Sequence, residues 1–203
     1  AGMEAARTAR LRGHNVTLAE ASPTLGGSLR AAAKAPTRHG MIDIATWMEA
    51  EIFRLGVDVQ LSTYMDADDI MASGAEGVII ATGSLPRMDG LQHSHPGQPI
   101  RHFERSRVIS GADLFMDPPS DLGSTAVVID DVGHYEGLAA AEHLIEKGLS
   151  VTYITRLRML APLAQGPLMV EPFLTRMRGK PFTYLIRQRA VEITDDAVLI
   201  SPA

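Results

Sequence analysis

A glycine in the first turn of a helix, followed 18 residues later by an acid at the end of a strand, suits the grip of an adenosine diphosphate, and Gly2 and Glu20 have this arrangement. The glycine lets helix and strand pack closely, and the carboxylate accepts hydrogen bonds from a ribose at an interval of roughly 20 residues. The first two glycines of that fingerprint are not in the chain, so a plain helix–strand pair with a surface glutamate fits the same residues. Gly26 and Gly27 supply a turn where backbone can approach a ligand closely. Arg30, just beyond, can reach a phosphate or stay solvated. Thr82 and Gly83 follow the apolar run Val78-Ile79-Ile80, which puts them at the carboxyl end of an expected parallel strand. Open α/β sheets bind ligands at that edge; an ordinary strand-ending turn uses the same residue types.

A second strand-to-helix loop runs Asp130-Asp131-Val132-Gly133-His134-Tyr135-Glu136-Gly137. Two glycines stand there without a GxGxxG, and two carboxylates occupy the place where a pyrophosphate would approach. Acids at that point repel phosphate. The following strand ends in Thr155-Arg156, a cation that can suit a 2′-phosphate, but the loop before it argues against working NAD(P)H binding. His134 and Tyr135 have no identifiable acid–base partner in the sequence, and a structural role suits them better. His93 and His95 lack a nearby carboxylate before Glu104 and read as exposed loop histidines, not a metal pair. No Ser-His-Asp set stands out, and no residue is assigned a catalytic role.

The elements that must position these residues follow from composition and periodicity. With 203 residues, 45% apolar and 21% charged, the chain can bury a core in one large domain or two small ones. No apolar run approaches the roughly 18 residues of a membrane span. A net charge of −5 argues against a nucleic-acid binder relying on general electrostatic attraction. The absence of cysteine removes disulfides, thiolate catalysis and cluster ligation from these residues. No signal peptide or lipidation motif is visible, and a cytoplasmic location is the default.

The chain opens in a helical pattern without an initiator methionine, and Gly13 stops that helix. Val16 to Glu20 then reads as a buried strand, so the opening looks like the second half of a βαβ unit. Residues 22–28 form a turn-rich loop, and 30–40 look irregular. A helix is expected over 41–55, with Ile44, Trp47, Met48, Ile52 and Leu55 on one face. Val57 to Leu61 alternates as a strand, Asp66 to Ala72 suggests a short helix, and Val78 to Ile80 a buried strand. Prolines and histidines then concentrate over 85–124, the texture of an inter-domain connection. Afterwards the pattern restarts: strand 126–130, helix 136–147, strand 150–155, a helix over 169–178, and strands within 183–186, 190–194 and 197–200. Alternating buried strands and helices predict an α/β fold of two Rossmann-like three-layer domains, the first truncated at its N-terminus. The expected division is 1–88, an FAD/ADP-binding-like domain, 89–123, a connection, and 124–203, an NAD(P)-binding-like domain with a degenerate phosphate loop.

Taken together these residues resemble a known family. Ala1-Gly2-Met3-Glu4-Ala5-Ala6 is similar to the end of a GxGPAGxExA fingerprint, and Glu20, Leu25-Gly26-Gly27, the Trp47 helix and Val78 to Arg87 follow in the expected order. Val127 to Asp131, then Gly133-His134-Tyr135-Glu136-Gly137 and Ala141-Glu142, resemble trimethylamine dehydrogenase and related N-methyl amine demethylases. That group stands with 2,4-dienoyl-CoA reductase among the NADH:flavin oxidoreductases of Old Yellow Enzyme type. The resemblance implies a longer enzyme whose amino-terminal TIM barrel carries FMN and substrate, with a [4Fe–4S] cluster on cysteines outside these residues. It implies FAD in reductase members, or ADP in trimethylamine dehydrogenase, held in the first domain. Carried over by position, Gly2, Glu20, Gly26, Gly27, Thr82 and Gly83 are the adenine-dinucleotide contacts. A homo-oligomer and an external electron acceptor are implied for the complete protein.

Three functions compete on this reading. The leading one is a part of a flavin-dependent amine dehydrogenase or demethylase that binds FAD or ADP and lacks the substrate site. An NAD(P)H-dependent enoate or dienoyl-CoA reductase is the second, and a nucleotide-filled scaffold that docks an electron carrier is the third. The 203 residues alone are expected to be inactive and to bind nucleotide weakly, because the first phosphate loop is incomplete.

Overall fold

Helix α1 (Gly2–Leu11) begins at an N-cap alanine that offers no side-chain cap, and its inward stripe presents Met3 and Ala6. In the computed structural model, which describes residues 1–104 and 107–203, these side chains meet Ile52, Val57, Leu18 and Val59 in a small apolar core. Strand β1 (Thr17–Ala19) pairs in parallel with β2 (Asp58–Gln60), Leu18 opposite Val59. Between them lie α2 (Ser28–Ala33), a 3₁₀ turn at His39–Met41 and α3 (Ile42–Arg54). The stretch that looked irregular thus contains one helix, whose alanine run at residues 31–33 has the highest helix propensity of any residue type. Helix α4 (Ala67–Ala72) is fixed by a capping box: Asp66 accepts from the Asp68 and Asp69 amides, and Asp69 accepts from the Asp66 amide.

Two expectations for this region fail. Helix α3 buries Ala45 and Ile52 completely, while Ile44 and Trp47 stay more than half exposed, so the buried stripe is offset from the apolar one. Arg7 instead stacks its guanidinium 5.7 Å from the Trp47 ring. The run Val78-Ile79-Ile80 forms no strand; the three residues are 51%, 70% and 78% exposed. A strand exists only through its ladder. Among the described residues β1 and β2 are a two-stranded sheet, and nothing pairs with the 78–80 segment.

The chain divides into two compact units, Ala1–Leu85 and Pro86–Ala203. In the second, β3 (Thr125–Asp130), β4 (Ser150–Thr155) and β5 (Phe182–Ile186) form a parallel sheet in the order β3-β4-β5. The crossovers are α6 (Tyr135–Glu146), after the short helix α5 (Gly111–Met116), and α7 (Val170–Met177). Helix α6 turns Leu138, three alanines and Ile145 onto the sheet, and the small residues let its axis come close. Tyr153 and Phe173 are fully buried, with Phe173 and Phe182 edge to face at 5.3 Å. Hairpin β6 (Gln188–Ile193) to β7 (Val198–Pro202) is antiparallel around Asp195-Asp196. The proline-rich segment is stitched to β6: the Gln92 amide nitrogen donates to the Ala190 carbonyl at 2.7 Å, and the Arg101 amide to Val191 at 3.0 Å. No helix among the described residues is long and apolar enough to cross a membrane.

Candidate nucleotide sites

The first candidate lies at the carboxyl edge of the β1–β2 sheet. A Cβ added at Gly2 would meet the Ala81 Cβ at 3.4 Å and Leu18 Cδ1 at 3.6 Å. The amino terminus of α1 therefore sits between the end of β1, two residues before Glu20, and the segment entering Thr82-Gly83. Glu20 is held in place by its neighbours: its amide donates to the Gln60 carbonyl at 2.9 Å, and its Oε1 accepts from the Ser22 amide at 2.9 Å. Thr82 and Gly83 are exposed.

Gly26 and Gly27 follow Glu20 through the exposed Ser22–Thr24 loop and carry positive φ of 115° and 51°. A side chain at Gly26 would also press on Arg30 and on the Ala45 Cβ, 3.3 Å away. Arg30 buttresses this turn. Its Nε donates to the Leu25 carbonyl, and one terminal nitrogen meets Glu49 on α3 at 3.1 Å. The structure thus brings Gly2 beside Leu18 and Ala81, the neighbours in sequence of Glu20 and Thr82, and places Gly26, Gly27 and Arg30 in a braced turn that continues from Glu20.

The second candidate is the loop from β3 to α6. Asp130, 7% exposed, points inward: its Oδ1 accepts from the Val132 amide at 3.1 Å and the Gly133 amide at 2.8 Å. Its Oδ2 accepts from the Tyr153 hydroxyl at 2.5 Å. Burial pushes the Tyr153 phenol well above the usual tyrosine range, and the Asp130 charge adds to it. Asp131 is tied outward, receiving Arg156 Nε on Oδ1 at 2.7 Å and the His93 amide on Oδ2 at 2.6 Å; the His93 ring lies on that same oxygen. The two acids expected side by side at the mouth therefore have different jobs, one capping the loop and one pairing with the Arg156 that ends β4.

His134 places Nδ1 2.8 Å from Glu136, an exposed pair, and Tyr135 is buried in α6. His93 is exposed as expected, but engaged by Asp131; His95 is half-buried and keeps a buried Nδ1 without a partner among the described residues. The Tyr153–Asp130 bond escaped the sequence reading. Its trace was the D-x-x-G spacing of Asp130 and Gly133, in which an aspartate bonds amides two and three residues on. The pairing of Arg156 with Asp131 escaped as well, because a pair 25 residues apart leaves no local signal.

No family model matches the chain. Over 152 residues it is 38% identical to a multifunctional alkene reductase/demethylase OYE of Caballeronia cordobensis, covering 75% of this chain and 21% of that protein. A probable N-methylproline demethylase of Rhizobium meliloti (strain 1021) is 32% identical over 189 residues, 93% of this chain and 26% of the relative. The chain thus spans about a quarter of the length of these curated relatives, 21% and 26%. Among solved structures, histamine dehydrogenase from Rhizobium sp. 4-9 matches all of the chain and 33% of its own with a TM-score of 0.85 at 25% identity.

Proposed function

We propose, from the premise that this chain belongs to the NADH:flavin oxidoreductases of Old Yellow Enzyme type, the family of trimethylamine dehydrogenase and 2,4-dienoyl-CoA reductase, that it is the nucleotide-holding part of a flavin-dependent amine dehydrogenase or demethylase. Its two α/β units are Rossmann-like, and the first holds the adenosine diphosphate of FAD or ADP. The observation that supports this reading is the closeness of Gly2 to both Leu18 and Ala81, which a Cβ there would meet at 3.6 and 3.4 Å, since these residues lie two before Glu20 and one before Thr82-Gly83. The chemistry of those groups fits the ligand. Backbone amides and a dipole suit a diphosphate, and an anchored carboxylate suits a ribose diol. Gly26 and Gly27 let the chain pass close to the nucleotide, with Arg30 setting their turn.

A flavin supplies the redox step in such an enzyme; these residues bind and orient the adenine nucleotide. FMN, a [4Fe–4S] cluster and the substrate belong to the rest of a protein about four times as long, a TIM barrel in this reading, and an external acceptor takes the electrons. The alkene reductase activity in the name of one relative keeps an NAD(P)H-dependent enoate reductase as the second reading. The inward-facing Asp130 weighs against it.

The experiment is acid extraction of the purified full-length protein followed by chromatography of released nucleotides. FAD or ADP is expected in stoichiometric amount, and Glu20→Ala should lower its retention at least about tenfold, the scale of one lost charge-assisted ribose contact. Full-length protein that carries no adenine nucleotide, or a Glu20→Ala variant that retains it undiminished, refutes the assignment.

A further inference from the structure

Strand-to-helix loops that open an α/β unit bind a diphosphate with their own backbone N–H groups and with the helix terminus behind them. In the second unit two of the loop's own donors are already spent. The Val132 and Gly133 amides both point at Asp130 Oδ1, 3.1 and 2.8 Å away, and the carboxylate is buried. The geometry points to Asp130 as a resident anion: it fills the loop's phosphate position from within, and is the residue that turns this protein away from pyridine dinucleotides. This rests on the flavin-enzyme reading above and goes beyond it by naming the group that decides which redox nucleotide is refused.

Four further observations agree. The carboxylate is locked, because its second oxygen takes the hydroxyl of the fully buried Tyr153 at 2.5 Å. A tethered acceptor of this kind competes with a diffusing phosphate at very high effective concentration. A Cβ added at Gly137 would lie 2.7 Å from the Tyr153 hydroxyl, so the start of α6 packs directly on β4 beside that bond. The turn itself is held at Gly133, where an added Cβ would meet Leu157 and Pro162 at 2.3 and 2.8 Å and the Leu163 amide donates to the Gly133 carbonyl at 2.9 Å. Arg156, which directly follows β4, is paired with Asp131 at 2.7 Å.

Occupancy and simple repulsion make different forecasts. An asparagine keeps an oxygen for the two amides but carries no charge, whereas a glycine vacates the position. The test is hydrogen exchange of the peptide spanning residues 130–137 in the full-length protein, with and without millimolar NADH. Wild type, Asp131→Asn and Asp130→Asn are expected to show no NADH-dependent protection. Asp130→Gly should exchange faster at Val132 and Gly133 and regain protection when NADH is added, with uptake at least about tenfold above wild type. Protection of this peptide in wild type overturns the proposal, and so does equal uptake by Asp130→Asn and Asp130→Gly, the mark of repulsion. A folded Asp130→Gly that NADH leaves unprotected also overturns it. If the glycine variant does not fold, Asp130→Asn decides: uptake refutes, whereas refusal with its two amides still slow supports. Adenine nucleotide extracted from the same samples reports on the first unit, so a failure there is separate from a failure here.

Discussion

Glu142 shows what a single side chain can demand of a fold. It stands on α6 with 2% of its surface exposed, and it receives the Arg176 guanidinium from α7 through two hydrogen bonds, the second at 2.8 Å. The bond from Glu142 raises the Arg176 pKa further above its already high value. Removing one partner of a buried pair leaves the other charge desolvated, which costs about 3–5 kcal/mol, whereas replacing both with apolar residues is near neutral. Arg176→Met should therefore lower unfolding stability in urea by about 3 kcal/mol, the low end because Arg176 reaches solvent. Glu142→Met/Arg176→Met together should recover most of that loss. Equal destabilisation by single and double variants would show that the pair is not what Glu142 requires. The residue scale is also where reading from sequence was most uneven. The place of Glu20 directly after β1 was legible, because the apolar run before it marks the strand. Asp130 was legible as a place but not as a direction, since whether its carboxylate faces out or in depends on Tyr153, 23 positions away and one strand over.

At the scale of elements, the first unit has an unfinished sheet. Glu20 donates to Gln60, and Asp58 donates to Val16, so alternate residues of β1 face β2, and Thr17 and Ala19 face the other edge. A Cβ at Gly2 would meet both Leu18 of β1 and Ala81, the end of the exposed 78–81 segment. A β-branched run with its apolar side chains in water and its amides unpaired needs a strand beside it. The sequence marks residues 78–80 as a buried strand, and the structure leaves them exposed and outside any strand, because no strand among the described residues pairs with them. The α3 stripe misleads for a related reason, because an apolar face read at helical period says what a helix can bury, not which of its sides meets the core. The parallel β3-β4-β5 sheet was readable because each of its strands finds its neighbour within the chain. Amide exchange separates these cases. In the 203-residue chain, Thr17, Ala19 and residues 78–81 should exchange orders of magnitude faster than Val151 to Thr155. In the full-length protein the same amides should become slow. Fast exchange in both would mean that no strand completes this sheet.

For the whole molecule the two units are built to different standards. In Ala1–Leu85 the large side chains buried to 2% or less are Leu25 and Ile52, and most other buried apolar residues there are alanines. Pro86–Ala203 buries Leu138, Val151, Tyr153, Ile154, Val170 and Phe173 to the same degree. Each such side chain contributes about 1.5–3 kcal/mol over its exposed state, so the balance of burial against chain entropy favours the second unit strongly and leaves the first near the margin. Between them, residues 81–89 are all exposed and lie outside any helix or strand, and Arg87 is bound there only by Asp89, at 2.6 Å. Exposed backbone free of regular structure is where proteases cut first. Brief trypsin treatment of the 203-residue chain should therefore cleave after Arg87 and leave residues 88–203 as a lasting product, while the first unit is digested. Stoichiometric ADP or FAD should slow loss of the first unit in the full-length protein, because a ligand of the folded form alone stabilises it by mass action, and should leave the lifetime of residues 88–203 unchanged. Mass spectrometry of the time course decides. A surviving first unit with a degraded second would reverse the order of stability argued from the core, and nucleotide protection of residues 88–203 would place the binding edge in the wrong unit.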